Sequence, residues 1–143
     1  MFPSHDRLRL FSYDDKQPRV LITSSAQLVG VLTIGYGHTG KDVYIGQNIS
    51  IEEAERLLRK DVQRFENRVR KEMQGHALTQ NQFDALVLHT YNSGGSETLF
   101  RLAREGNKEE LINWWTTTYI TSGGVYMRGL EERRKSEVRL YFT

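Results

Sequence analysis

The chain contains no cysteine. That absence excludes disulfides, thiolate nucleophiles and cysteine-based metal sites together. No apolar run approaches the roughly 20 residues that a membrane span requires, so stable membrane insertion is not expected. The stretch "MFPSHDRLRL" lacks the apolar region of a signal peptide, so work outside the cytosol would need release by another agent. Charge of one sign is also scarce. A formal net charge of +2 is too weak to indicate a nucleic-acid partner. His5, His38, His76 and His89 lack metal-ligand spacing, and the glycines of "GYGHTG" fit neither a dinucleotide fingerprint nor a phosphate loop. Glutamate is missing from the first fifty residues. The carboxylates there are Asp6, Asp14, Asp15 and Asp42, and the first glutamate is Glu52.

What is present describes one globular domain. The chain has 143 residues, 38% hydrophobic and 27% charged, a balance that rules out a disordered tail. Its character changes near residue 50. Before it, "RLRLFSY" and part of "RVLITSS" alternate apolar and polar positions, and "QLVGVLTIGYG" reads as strand running into turn. After it the period is helical. Ser50 and Glu53 form a capping box for a helix of about 24 residues, with Ile51, Ala54, Leu57, Leu58, Val62, Phe65, Val69 and Met73 on one face and Gly75 as the stop. Thr79 and Gln82 cap a second helix that ends at Gly94 and Gly95, with Phe83, Leu86, Val87, Thr90 and Tyr91 as its buried stripe. Shorter helices are predicted near 96–105 and 107–117. "TTTYITSGGVYMRG" reads as an irregular loop, and a last helix starts near Gly129. The fold class is α+β, with the sheet segregated ahead of the helices.

Asp6 and Asp15 flank the first predicted strand. Two carboxylates across a cleft are the minimal equipment for glycosidic hydrolysis, one donating a proton and one serving as base or charge stabiliser. Asp14 and Asp15 also suit a turn, and spacing alone does not decide between these roles.

Longer motifs bear on that choice. "RLRLFSYDD…LTIGYGHTG", the 49–61 segment "ISIEEAERLLRKD", "LTQNQFDALV", "YNSGG" and "GLEERRKSE" follow one another in order through nearly the whole chain. The set resembles the phage-type lysozymes, the endolysin muramidases. The resemblance implies a lysozyme-like fold. A small β lobe over 1–49 would be joined by a connecting helix over 50–74 to a helical lobe over 75–143. It implies an inverting, cofactor-free hydrolase of the β-1,4 bond between N-acetylmuramic acid and N-acetylglucosamine in peptidoglycan. It further implies a monomer made in the host bacterial cytoplasm and acting on the cell wall after release.

Site residues carry over from the same resemblance. Asp6 stands at the general-acid position, Asp15 at the carboxylate that activates water, and Thr33 at the threonine that holds that water. Gly35, Tyr36, Gly37 and His38 form the hairpin beside the substrate, and His38 is expected to pair with Asp61. Asn92 lies at a helix end on the substrate side, and Arg128 is a candidate contact for acidic peptide stems, as are Arg133 and Arg134 unless they pair with Glu131, Glu132 or Glu137. One of Trp114 and Trp115 is expected in the core, because adjacent helical residues point apart. Two features depart from the family pattern. The acid position reads Asp6–Arg7 instead of glutamate–glycine, which withdraws the carboxyl by about 1.5 Å. Seventeen residues separate Asp15 from Thr33, and the 16–31 segment reads as an elaborated hairpin. A weakened or inactive lysozyme-like protein that binds cell wall or a protein partner is the alternative these departures raise. A transglycosylase-like activity, which needs a single carboxyl, is a third.

Overall fold

The computed structural model describes residues 8–143. The chain divides into two compact units, Met1–Gln63 and Arg64–Thr143.

In the first unit, β1 (Arg9–Asp14) pairs antiparallel with β2 (Leu32–Gly35), in the register Tyr13↔Thr33 and Asp14↔Leu32 and again at Arg9↔Gly35. The ladder is irregular between Arg9 and Tyr13. There the middle of β1 turns to a second partner. Phe11 bridges Asn48, the Ser12 N–H donates to the Gln47 carbonyl at 3.0 Å, and the Ile49 N–H donates to the Leu10 carbonyl at 2.9 Å. This pairing delivers the chain to Ser50, whose hydroxyl accepts from the Glu53 N–H at 3.1 Å and opens α1 (Ile51–Glu72). The reciprocal arm of the expected capping box is replaced, since the Glu53 carboxylate binds the Arg56 guanidinium at 2.5 and 2.9 Å. Acidic residues open α1 and Arg70 and Lys71 close it, matching the helix dipole. Among the described residues of this unit, Ile22, Ile34, Tyr36, Ala54 and Leu57 are the buried apolar ones.

The 16–31 segment, read from its length as an elaborated hairpin, forms no strands of its own. It is irregular apart from one 3-10 turn at Ser25–Gln27. Its backbone donors turn to side chains instead of a neighbouring strand. Gln27 Oε1 accepts the N–H groups of Thr23 and Ser24 at 2.7 and 3.0 Å, and Ser24 Oγ accepts that of Ala26 at 3.3 Å. Side-chain acceptors of this kind compete with a ladder.

In the second unit, α2 (Gln80–Ser93) carries the full capping box at Thr79 and Gln82 and ends on Gly94, whose φ of 85° no β-carbon opposes. α3 (Glu97–Glu105) ends on Gly106 and α4 (Lys108–Thr117) starts from the Asn107 cap. α5 (Arg128–Tyr141) packs on α2 and α4. The core holds Leu86, Val87, Leu99, Phe100, Leu111 and Trp115. The Arg104 guanidinium donates to the Glu72 carbonyl at 2.9 Å, satisfying an orphan group at the end of α1. The stretch read as an irregular loop is a short hairpin, β3 (Thr121–Ser122) and β4 (Val125–Tyr126). Gly123 and Gly124 both have positive φ, as a two-residue turn of matching twist demands. Among the described residues, no helix is long and apolar enough to cross a membrane.

Candidate active site

Asp14 and Asp15 sit together at the end of β1 and have opposite environments. Asp14 is fully buried. Its carboxylate accepts the N–H groups of Val29 at 2.7 Å, Gly30 at 3.0 Å and Lys16 at 2.9 Å, and the Gln17 side-chain amide at 2.8 Å. Burial alone would raise its pKa. The hydrogen bonds from Val29, Gln17, Lys16 and Gly30 outweigh that and hold the carboxyl well below the usual carboxylate range.

Asp15 is exposed. Its backbone N–H donates to the Val31 carbonyl at 3.1 Å, and the Val31 N–H returns a bond to Asp15 Oδ1 at 2.7 Å. Its other oxygen has no hydrogen-bond partner among the described residues. Asp15 is therefore held by one oxygen and offers the second. Val31 lies opposite Asp15 and Thr33 lies opposite Tyr13. By the two-residue period of a strand, Asp15 and Thr33 are diagonal neighbours on one face of the ladder. Thr33 itself is 4% exposed, and its hydroxyl donates to the Val31 carbonyl at 2.9 Å. Its lone pairs remain available to accept.

The turn beyond Thr33 is closed by reciprocal bonds between Ile34 and His38, 2.9 and 2.8 Å long. Gly35 and Gly37 lie in it at φ of 67° and 84°, conformations that L side chains rarely adopt. Gly35, Tyr36 and His38, expected beside substrate, are buried. A β-carbon at Gly35 would already touch Ala54 on α1 at 3.4 Å.

His38 pairs with Asp61 as expected, Nδ1 to Oδ2 at 2.7 Å, and also with Asp42, which the sequence reading missed, through Nε2 at 2.9 Å. Carboxylates only accept, so both ring nitrogens donate and the imidazole is charged. Burial lowers the His38 pKa, but the two aspartates overcome this and raise it. The bond from His38 lowers the Asp42 pKa. A raised histidine contributes stability that is complete below its unfolded value of about 6.5 and is lost as pH rises through the folded value. A lowered aspartate contributes stability that is lost as pH falls below about 3.9. His38→Asn is therefore expected to cost roughly 1–3 kcal/mol between about pH 4 and 6.5 and less above the folded histidine pKa. Urea melts across pH test this, and a pH-independent loss would refute the pairing as its cause.

Asn92 and Arg128 belong to the second unit. Arg128 is exposed at the start of α5. Asn92 donates its side-chain amide to Glu137 at 3.0 Å, which leaves its carbonyl oxygen to accept. Glu137 is the centre of a buried cluster. It also accepts from His89 Nδ1 and Trp115 Nε1, each at 2.9 Å, and from Arg134 at 2.9 and 2.7 Å. Burial raises its pKa, while the bonds from His89, Arg134 and Asn92 prevail and bring it down to about 2. Trp115 is the core tryptophan of the adjacent pair.

Asp6 and Arg7 lie outside the described residues. Two contributors besides Asp42 escaped the sequence reading, Asp14 as a buried acceptor and Gly30 beside it. A β-carbon at Gly30 would overlap the Asp15 carboxylate and come within 2.8 Å of Asp14 Oδ1. The available signal was an isolated glycine inside a β-branched run, which marks close backbone approach.

A two-strand sheet with a G-Y-G-H turn, followed by the long α1 and a helical unit, defines a lysozyme-like protein of the α+β class. The family model for phage lysozyme matches residues 20–137, and the chain belongs to that family. Over 115 residues, 78% of this chain, it is 44% identical to the endolysin of Bacillus phage B103, of which the match covers 43%. The chain thus spans less than half the length of that curated relative. Among solved structures, it resembles an endolysin from the Escherichia coli phage FAHEc1, with 34% identity and a TM-score of 0.67 over 94% of this chain and 83% of the other. It also resembles the muramidase domain of SpmX from Asticaccaulis excentricus, with 28% identity and a TM-score of 0.71 over 95% and 88% of the two chains.

Proposed function

We propose that this chain hydrolyses the β-1,4 bond between N-acetylmuramic acid and N-acetylglucosamine in bacterial peptidoglycan, with inversion at the anomeric carbon. The observation that carries this is Asp15. It is an exposed carboxylate, anchored by one oxygen to the Val31 N–H, with its other oxygen unengaged among the described residues and Thr33 diagonal to it by the register of the ladder. In the reaction Asp15 takes a proton from a water that Thr33 helps to orient, while Asp6 protonates the leaving oxygen. An inverting pair stands roughly 6.5–9.5 Å apart to admit that water. Gly35, Tyr36 and His38 form the turn that carries Thr33 toward substrate. Asn92 and Arg128 are further substrate contacts, Arg128 with acidic peptide stems. The protein works as a monomer, is made in the host cytoplasm and reaches the wall after release.

Clearing of purified cell walls, with the anomer formed in the first turnovers read by NMR, tests the proposal. Clearing with the inverted anomer is the expected result. Wall binding without clearing would mean a non-hydrolytic protein, and anhydro-sugar products would mean transglycosylation. The aspartate at position 6 adds a further expectation. Asp6→Glu restores the missing methylene, and since a misplacement of ~1 Å costs about 100-fold, kcat should rise by up to that factor. An unchanged or lower kcat would remove Asp6 from the acid position.

A further inference from the structure

Asp14 and Gly30 stand outside every role assigned so far, yet both touch the segment that holds Asp15. The Asp14 carboxylate receives N–H groups from both ends of the 16–31 segment, Lys16 just after Asp15 and Val29 and Gly30 just before Val31. It also receives the Gln17 amide, which donates in addition to the Gln27 carbonyl at 2.6 Å. A fully buried carboxylate thereby closes a loop whose ends also meet through Asp15 and Val31. Gly30 leaves the space in which the two carboxylates approach the 29–31 backbone.

We propose that Asp14, with Gly30, is the positioning residue of this site: it fixes the 29–31 backbone so that the Val31 N–H holds Asp15 by one oxygen and aims the other at the attacking water. The inference rests on Asp15 being the base. In Asp14→Asn the shape is kept, but an NH2 replaces one oxygen and confronts donors it cannot accept from. The Val29–Val31 backbone then shifts. In Gly30→Ala the new methyl would overlap Asp15 Oδ1 and lie 2.8 Å from Asp14 Oδ1, so it displaces the Asp15 carboxylate from the Val31 N–H and crowds Asp14 as well.

The test compares wild type, Asp14→Asn and Gly30→Ala, each alone and combined with Asp15→Asn. It measures kcat and KM on cell walls, well below each melting point, and amide hydrogen exchange at Val31. Each single variant is expected to lose about 100-fold in kcat with KM little changed, the scale of a ~1 Å displacement. Val31 exchange should quicken in both. Added to Asp15→Asn, neither should lower the residual rate further, because residues that act as one unit are not additive. A merely structural Asp14 would instead give equal losses with and without Asp15, and that result overturns the inference. So does an active wild type whose variants keep kcat. If wild type does not clear walls at all, the reading of Asp15 as base fails and this inference falls with it. Faster Val31 exchange would then report only the local fold.

Discussion

Asp15→Asn should lower cell-wall hydrolysis by about 10²- to 10⁴-fold, the usual span for losing a general base, while leaving the protein as stable as before. The substitution is nearly isosteric. The amide keeps an oxygen to accept the Val31 N–H that now binds Asp15 Oδ1 at 2.7 Å. What changes is the second position, where an acceptor becomes a donor that cannot take a proton from water. Asp15 is exposed, so no buried charge is created or abandoned, and a stability change beyond about 0.5 kcal/mol is not expected. The separation of the two effects gives the measurement its force. A variant that unfolds loses activity for trivial reasons. One that melts with wild type and does not clear walls has lost chemistry. An active Asp15→Asn would place the reaction on a single carboxyl and point to the transglycosylase class.

The parts of the molecule legible in its sequence are those whose cause is local. Thr79 and Gln82 announced α2 because a capping box needs only four consecutive residues, and both of its arms are made. Ser50 announced α1, although Arg56 took the glutamate intended for the second arm. The 16–31 segment misled because its length speaks only of how much chain the connection holds. It does not reveal that acceptors at Asp14 and Gln27 will take the backbone donors first. The β3–β4 hairpin was hidden for a different reason. Strands of two residues have no period to detect, although "SGGV" between β-branched neighbours carried the turn signal. At the site, Asp15 and Thr33 emerged from resemblance and not from spacing, since 17 residues separate them. Asp14 remained a turn former on paper because its burial depends on donors 15 and 16 residues away. Asp61 was foreseen as the partner of His38 and Asp42 was not. A helix fixes where Asp61 lies, whereas the loop through Asp42 has no regular geometry to project.

Glu137→Ala is expected to cost roughly 3–5 kcal/mol, the range for breaking a buried charge pair from one side. For a chain of this size that lowers the melting temperature on the order of 10–20 °C. Five hydrogen bonds converge on its two oxygens, from His89, Asn92, Trp115 and twice from Arg134. Truncation strands all five donors, and two of them belong to the guanidinium of Arg134, which is 1% exposed. A buried, unpaired cation is the dominant penalty, because it has lost both water and counter-charge. The pair Arg134→Met with Glu137→Leu should therefore be less destabilised than Glu137→Ala alone, even though it removes more native contacts. Acid tells the same story independently. A carboxyl held at about 2 in the fold contributes stability that is present above its ordinary value near 4.5 and is lost as pH falls between these limits. Melts of wild type should thus steepen in their decline below pH 4.5, and the double variant should show a shallower decline there. If the double variant proved less stable than Glu137→Ala, packing by Arg134 and not its charge would be what the cluster provides.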